Sequence, residues 1–124
     1  MQTILLISLG AILGVNLRYF VAQYAARLMP STFPFGTLII NFTASFVLGF
    51  FLVWTSERVL ADPRWRLLIA VGFCGSYSTY SSYAFETFAL VETGHLPVAA
   101  LNVLVMNAVC FIAVILGAAG ARSL

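Results

Sequence analysis

Apolar residues run along this chain in four long blocks separated by short polar interruptions. The first block extends from about Ile4 to Ala26 and is closed by Arg27, Pro30, Ser31 and Pro34. The second extends from about Phe35 to Val53. A charged linker follows, from Glu57-Arg58 to Arg66, with Asp62-Pro63 as its turn signal. The third block covers about Leu67 to Val91, and Gly94, His95 and Pro97 close it. Pro97 lies near the first helical position of the fourth block, about Val98 to Ala121. Each block approaches the ~20 residues that cross a hydrocarbon core. The pattern predicts an all-α membrane protein: one domain over residues 1–124 with four transmembrane helices.

The third block departs from a lipid-facing pattern. Its run from Gly72 to Tyr83 carries Gly72 and Gly75 with Ser76, Ser78, Thr79, Ser81 and Ser82. An unpaired backbone group is costly in hydrocarbon, so a helix is interrupted there only where protein buries the break or a polar cavity runs beside it. Broken helices at membrane depth commonly mark ion or substrate sites. The third helix is therefore expected to break within this run.

Composition agrees with the membrane reading. Hydrophobic residues make up 62% of the 124 residues and charged residues 8%, more apolar surface than a soluble domain of this size can hide. The net charge of +2, with no cluster of basic residues, speaks against nucleic acid. Met-Gln-Thr leads directly into apolar sequence, with no basic n-region, so no cleaved leader is expected. Cys74 and Cys110 fall inside predicted spans and read as small buried residues.

Small residues recur at helical spacing, at Gly10 and Gly14, Ser45 and Gly49, and Gly117 and Ala121. They allow close backbone approach. Four short helices enclose little interior, so a polar pathway predicts a homo-oligomer, most simply a dimer. Arg58, Arg64, Arg66 and Arg122 lie on one side and Arg27 on the other, which favours the first side as cytoplasmic.

Several polar residues fall inside the blocks, and each has two readings. Arg18 either snorkels to the interface or forms an electropositive vestibule for an anion. Asn41 either bonds a neighbouring helix or lines a pathway with its donors. Glu86 either carries a proton or bonds groups near the break. Asn102 and Asn107, five apart, do not stack on one helix face, so one can face a pathway and the other a helix. His95 stands alone in a turn, and Glu57, Asp62 and Glu92 belong to loops or span ends. Tyr77, Tyr80 and Tyr83 recur every three residues and form a stripe if the segment is helical. Such a stripe is either packing or a set of electropositive ring edges facing an anion. Interleaved Ser78, Thr79, Ser81 and Ser82 supply hydroxyl donors. That combination suits a small, strongly hydrated anion, held without a full charge that would prevent release.

Three elements together resemble the Fluc (CrcB) fluoride channel family: Gly10-Ala11 with Gly14, Arg18 and Tyr19; Phe35-Gly36-Thr37-Leu38 with Asn41; and Gly72-Phe73-Cys74-Gly75 followed by the aromatic-hydroxyl run to Glu86. They occur in family order and spacing over essentially the whole chain. The resemblance implies an antiparallel, dual-topology homodimer in the plasma (cell inner) membrane, with two fluoride pores and a broken third helix. It implies a structural sodium ion held by backbone carbonyls, which would be those of Gly75 and Ser78. It also implies pore aromatics at Tyr80 and Tyr83, a pore asparagine at Asn41 and a vestibule arginine at Arg18. The family usually has Phe at the two tyrosine positions, Thr at Ser78 and Gly at Ser76.

The function expected is thus a passive fluoride channel, not an enzyme, exporting cytoplasmic fluoride. Its anion pathway runs along Asn41, Tyr80, Tyr83, Ser81, Thr79 and Arg18, with Glu86, Asn102 and Asn107 as further candidates. The alternative is a coupled transporter of the small multidrug-resistance type, which needs an acid in the first span, and Ile4 to Ala26 has none. A structural subunit of a larger complex would explain the small-residue faces but not the donor-rich break.

Overall fold

The computed structural model describes residues 1–58 and 62–124. Val59, Leu60 and Ala61 of the charged linker, and the side chain of Arg58 used in the topology argument, lie outside the described residues. All regular structure among the described residues is helical. Helix α1 spans Gln2–Leu28, with Arg27 in its last turn where the carbonyl ends favour a cation. Pro30 lies just beyond. Helix α2 spans Phe35–Val53 and starts directly after Pro34, which lacks the N–H a helix would need one turn later. Its winding then widens into a π-helical turn over Trp54–Arg58.

The third segment opens at Pro63, where Asp62 accepts the Arg64 N–H at 2.9 Å as an N-cap. It continues through Pro63–Trp65, a π-wound stretch Arg66–Cys74, and a last turn Gly75–Tyr77. These together form α3, residues 63–77. Ser78 and Thr79 are extended, with ψ angles of 157° and 109°. Helix α4, Tyr80–Glu92, restarts from Thr79, whose Oγ1 accepts the Ser82 N–H at 3.1 Å. Gly94, at φ 79°, takes the left-handed conformation that ends α4. Helix α5 spans Leu96–Ser123.

Three helical stretches are long and apolar enough to cross a membrane: Gln2–Leu28, Phe35–Glu57 and Leu96–Ser123. The third apolar block is divided between α3 and α4. The extended part is confined to two residues of the Gly72–Tyr83 run. Gly72 serves packing instead of breaking the helix: a Cβ there would lie 2.7 Å from the Ile7 carbonyl.

Bare backbone governs how the helices meet. Gly10 and Gly14 bring α1 onto α3, where a Cβ would run into Leu68, Phe73 and the Ser76 hydroxyl. A Cβ on Gly49 would lie 2.5 Å from the Val114 carbonyl, and one on Gly117 would run into the Phe46 and Phe50 backbone, so α2 lies against α5. Ile40, Ala44 and Tyr77 form a small core, flanked by Val21, Ala22 and Phe73. Ile4, Leu13, Phe20, Leu104 and Phe111 point outward, as expected of surfaces dissolved in lipid.

Candidate functional site at the helix break

The break is held by one side chain. Thr37, Ile40 and Ala44 define the buried face of α2, and Asn41 lies at its edge. The Asn41 Oδ1 accepts the Thr79 N–H at 2.8 Å, and its Nδ2 donates to the Thr79 carbonyl at 3.1 Å. The carboxamide thus pairs with both backbone groups of a single extended residue, as an adjacent strand would. Its second Nδ2 proton has only the weak Met106 sulfur acceptor, at 3.6 Å.

This pairing leaves a carbonyl over. In a continuous helix the Thr79 N–H would donate to Gly75 O. Here it goes to Asn41. The Cys74 carbonyl, by contrast, accepts both the Ser78 N–H (3.0 Å) and the Ser78 hydroxyl (2.9 Å). Gly75 lies exposed on the chain, and a Cβ there would meet nothing nearer than 3.9 Å. Ser76 turns inward and donates to the Ala11 carbonyl at 3.2 Å, which ties α1 to the break.

Two cavities share Thr79 in their lining. One, of about 240 Å³, is bounded by Asn41, Ser78, Tyr80, Tyr83 and Asn107. The other, of about 380 Å³, is bounded by Arg18, Thr37, Ser81, Ser82 and Glu86. The hydroxyls between them are linked: Thr79 Oγ1 donates to Ser82 Oγ at 2.9 Å and lies 3.3 Å from Ser81 Oγ. Arg18 and Glu86 share the second cavity without an ion pair among the described residues. Glu86 instead accepts the Thr37 hydroxyl at 2.7 Å, while its Oε2 is buried without a partner. Thr37 carries no separate signal in the sequence except its position one helical turn before Asn41, on the same side of α2.

The tyrosines divide into two groups. Tyr77 precedes the break and is buried in the core, stacked on Phe73 and 2.9 Å from the Thr43 hydroxyl. It therefore does not belong to the expected stripe, because two extended residues interrupt the helical register. Tyr80 and Tyr83 follow the break and meet edge to face, with centroids 5.3 Å apart at 67°. Tyr83 is 7% exposed and Tyr80 77%. The asparagines of α5 also differ. Asn107 lines the first cavity, whereas Asn102 is wholly buried and donates to Thr87 Oγ1 at 2.9 Å. His95 stays in its exposed turn, 3.0 Å from the Thr93 hydroxyl. Both cysteines are free thiols.

Residues 5–118 match the family model described as CrcB-like protein, Camphor Resistance (CrcB). The chain is 51% identical over 118 residues to the fluoride-specific ion channel FluC of Koribacter versatilis, covering 95% of this chain and 94% of that one. It is 40% identical over 124 residues to the protein of the same name from Sulfurihydrogenibium sp., covering 100% of both chains. It is 43% identical over 124 residues to that from Coxiella burnetii (strain CbuK_Q154), covering 99% of this chain and 100% of that one.

Proposed function

Because this chain belongs to the CrcB family, we propose that its site works as the pore of a fluoride-selective ion channel. It is a multi-pass membrane protein and not an enzyme. We place it in the plasma (inner) membrane, where it lets cytoplasmic fluoride leave passively. The observation that carries the reading is Thr79, which lines two cavities and bonds the Ser82 hydroxyl.

Fluoride gives up water only for donors of comparable strength. Arg18 draws the anion into the wider cavity. Ser81, Thr79 and Ser82 replace its water one hydroxyl at a time. Beyond Thr79 the ring edges of Tyr80 and Tyr83 present weak positive potential, which holds the ion without trapping it. The Asn41 N–H that now meets only sulfur exchanges that poor acceptor for fluoride, while the other N–H keeps the break in place.

The chain acts as an antiparallel homodimer with four spans per copy, the third broken at Ser78–Thr79. One copy leaves Tyr80, Ser81, Phe85 and Phe88 exposed along α4, so the pathway has an open wall. A second copy closes it and makes two pores. The Gly75 and Ser78 carbonyls fit a structural sodium ion. Gly75 O is released from the helical ladder, Gly75 is exposed, and uncharged oxygens are the donors a hard monovalent cation takes. Sodium would neutralise the carbonyl ends of two facing breaks. The coupled-transporter reading loses support, since α1 contains no acid and Glu86 is bonded to Thr37.

The test is fluoride efflux from liposomes containing only this protein, read with a fluoride electrode. Efflux well above that of empty vesicles, with chloride retained, is expected. Efflux equal to that of empty vesicles, from protein shown to be dimeric, overturns the proposal.

A further inference from the structure

The pore aromatic Tyr83 is held from α5 at both ends. Its carbonyl accepts the Thr87 hydroxyl at 2.8 Å, and that hydroxyl oxygen in turn accepts Asn102 Nδ2 at 2.9 Å. At the other end, Asn107 Nδ2 donates to the Tyr83 phenol oxygen at 3.2 Å. Asn107 is itself oriented by its bond to the Val103 carbonyl, at 2.7 Å one turn back on α5. A single-bond ring attachment leaves a tyrosine free to rock about its Cα–Cβ bond. A phenol anchored at its far tip cannot do so. Because Tyr80 stacks edge-on against Tyr83, the anchor aligns both rings at the wall of the first cavity.

We infer that Asn107 is a positioning residue for fluoride passage, acting through the Tyr83 hydroxyl to fix the pore rings. The inference rests on the proposed pathway along Tyr83. It makes the Tyr83 phenol oxygen the anchor point, and accepting from Asn107 leaves the Tyr83 O–H proton free to donate. Asn102 and Asn107, which sequence spacing places on different faces of α5, thereby serve one residue of α4.

The experiment is a double-mutant cycle with Asn107→Leu and Tyr83→Phe, each of which deletes the same bond while keeping bulk. Loss of one neutral hydrogen bond should slow fluoride efflux by about three- to tenfold in either single variant. The double variant should be no slower than the singles. In parallel, the Tyr83 Cζ signal in 13C-tyrosine-labelled protein, assigned by its disappearance in Tyr83→Phe, should shift in Asn107→Leu. A merely structural role for Asn107 would not produce that shift together with a silent second mutation. Losses that multiply in the double variant, an unmoved Cζ signal, or normal efflux from Asn107→Leu each overturn the anchor. Tyr83→Ile separates the two ideas: if it abolishes efflux while Asn107→Leu is silent, only the anchor fails. If both are silent, the pathway along Tyr83 fails with it.

Discussion

In the proposed pore Asn41 carries two tasks with one carboxamide, and substitutions can pull them apart. Asn41→Leu keeps the bulk but abandons both backbone groups of Thr79 and the donor offered to the anion. Unsatisfied polar groups of this kind cost about 1–3 kcal/mol. Fluoride efflux should fall by roughly one to two decades, measured on variants that remain dimeric. Asn41→Asp keeps the acceptor for the Thr79 N–H but removes the amide donors, so the break should persist while efflux falls comparably. The exposed ring of Tyr80 follows a different rule. Among the described residues no hydrogen bond of its phenol is part of the site, and in the proposed pathway its edge meets the anion. Tyr80→Phe should leave efflux within about twofold, whereas Tyr80→Ile, which removes the edge, should lower it at least tenfold. Efflux assays on the pair decide it; a silent Tyr80→Ile would assign this ring to packing.

Among the elements, the tightest constraints fall on bare backbone. A Cβ on Gly117 would meet the Phe50 nitrogen at 2.8 Å and the Phe46 carbonyl closer still. Gly117→Val should force α2 and α5 apart at a cost of about 1–3 kcal/mol, seen as a lower thermal midpoint in detergent. Gly94 offers the opposite case: nothing lies within 4 Å of its Cβ position, so only φ matters there. Gly94→Ala should cost about 1 kcal/mol and Gly94→Asn clearly less. Much of this arrangement was readable in the apolar blocks and in glycines spaced one turn apart. Pro34, Pro63 and Gly94 mark element ends because each removes or requires a particular backbone geometry. The two-residue length of the break was not readable. It depends on Asn41, distant in sequence, taking the Thr79 N–H away from the α3 ladder. The separate environment of Tyr77 follows from that same tertiary bond, and so does the Thr37–Glu86 contact across α2 and α4. Periodicity along one chain segment contains no information about such partners.

For the molecule as a whole, the proposed antiparallel pairing predicts that N-termini reach both faces of the membrane. Impermeant labelling of a cysteine added before Met1 should therefore modify about half the copies from either side; full labelling from one side alone would rule out dual topology. Exchanging sodium for a larger cation should weaken the dimer on native gels, if the freed carbonyls of two copies share an ion. A different consequence follows from how the break is closed. Interrupted helices usually open and reclose, and their amides trade protons with water quickly. Here the amide of Thr79, outside any helix, donates to the Asn41 Oδ1 at 2.8 Å. In hydrogen–deuterium exchange it should remain protonated as long as the amides of Ile40 and Ala44, with Asn41→Leu collapsing that protection. Such a joint is a weld, so ions would pass through a wall that stays still, with no rocking of one half-helix against the other.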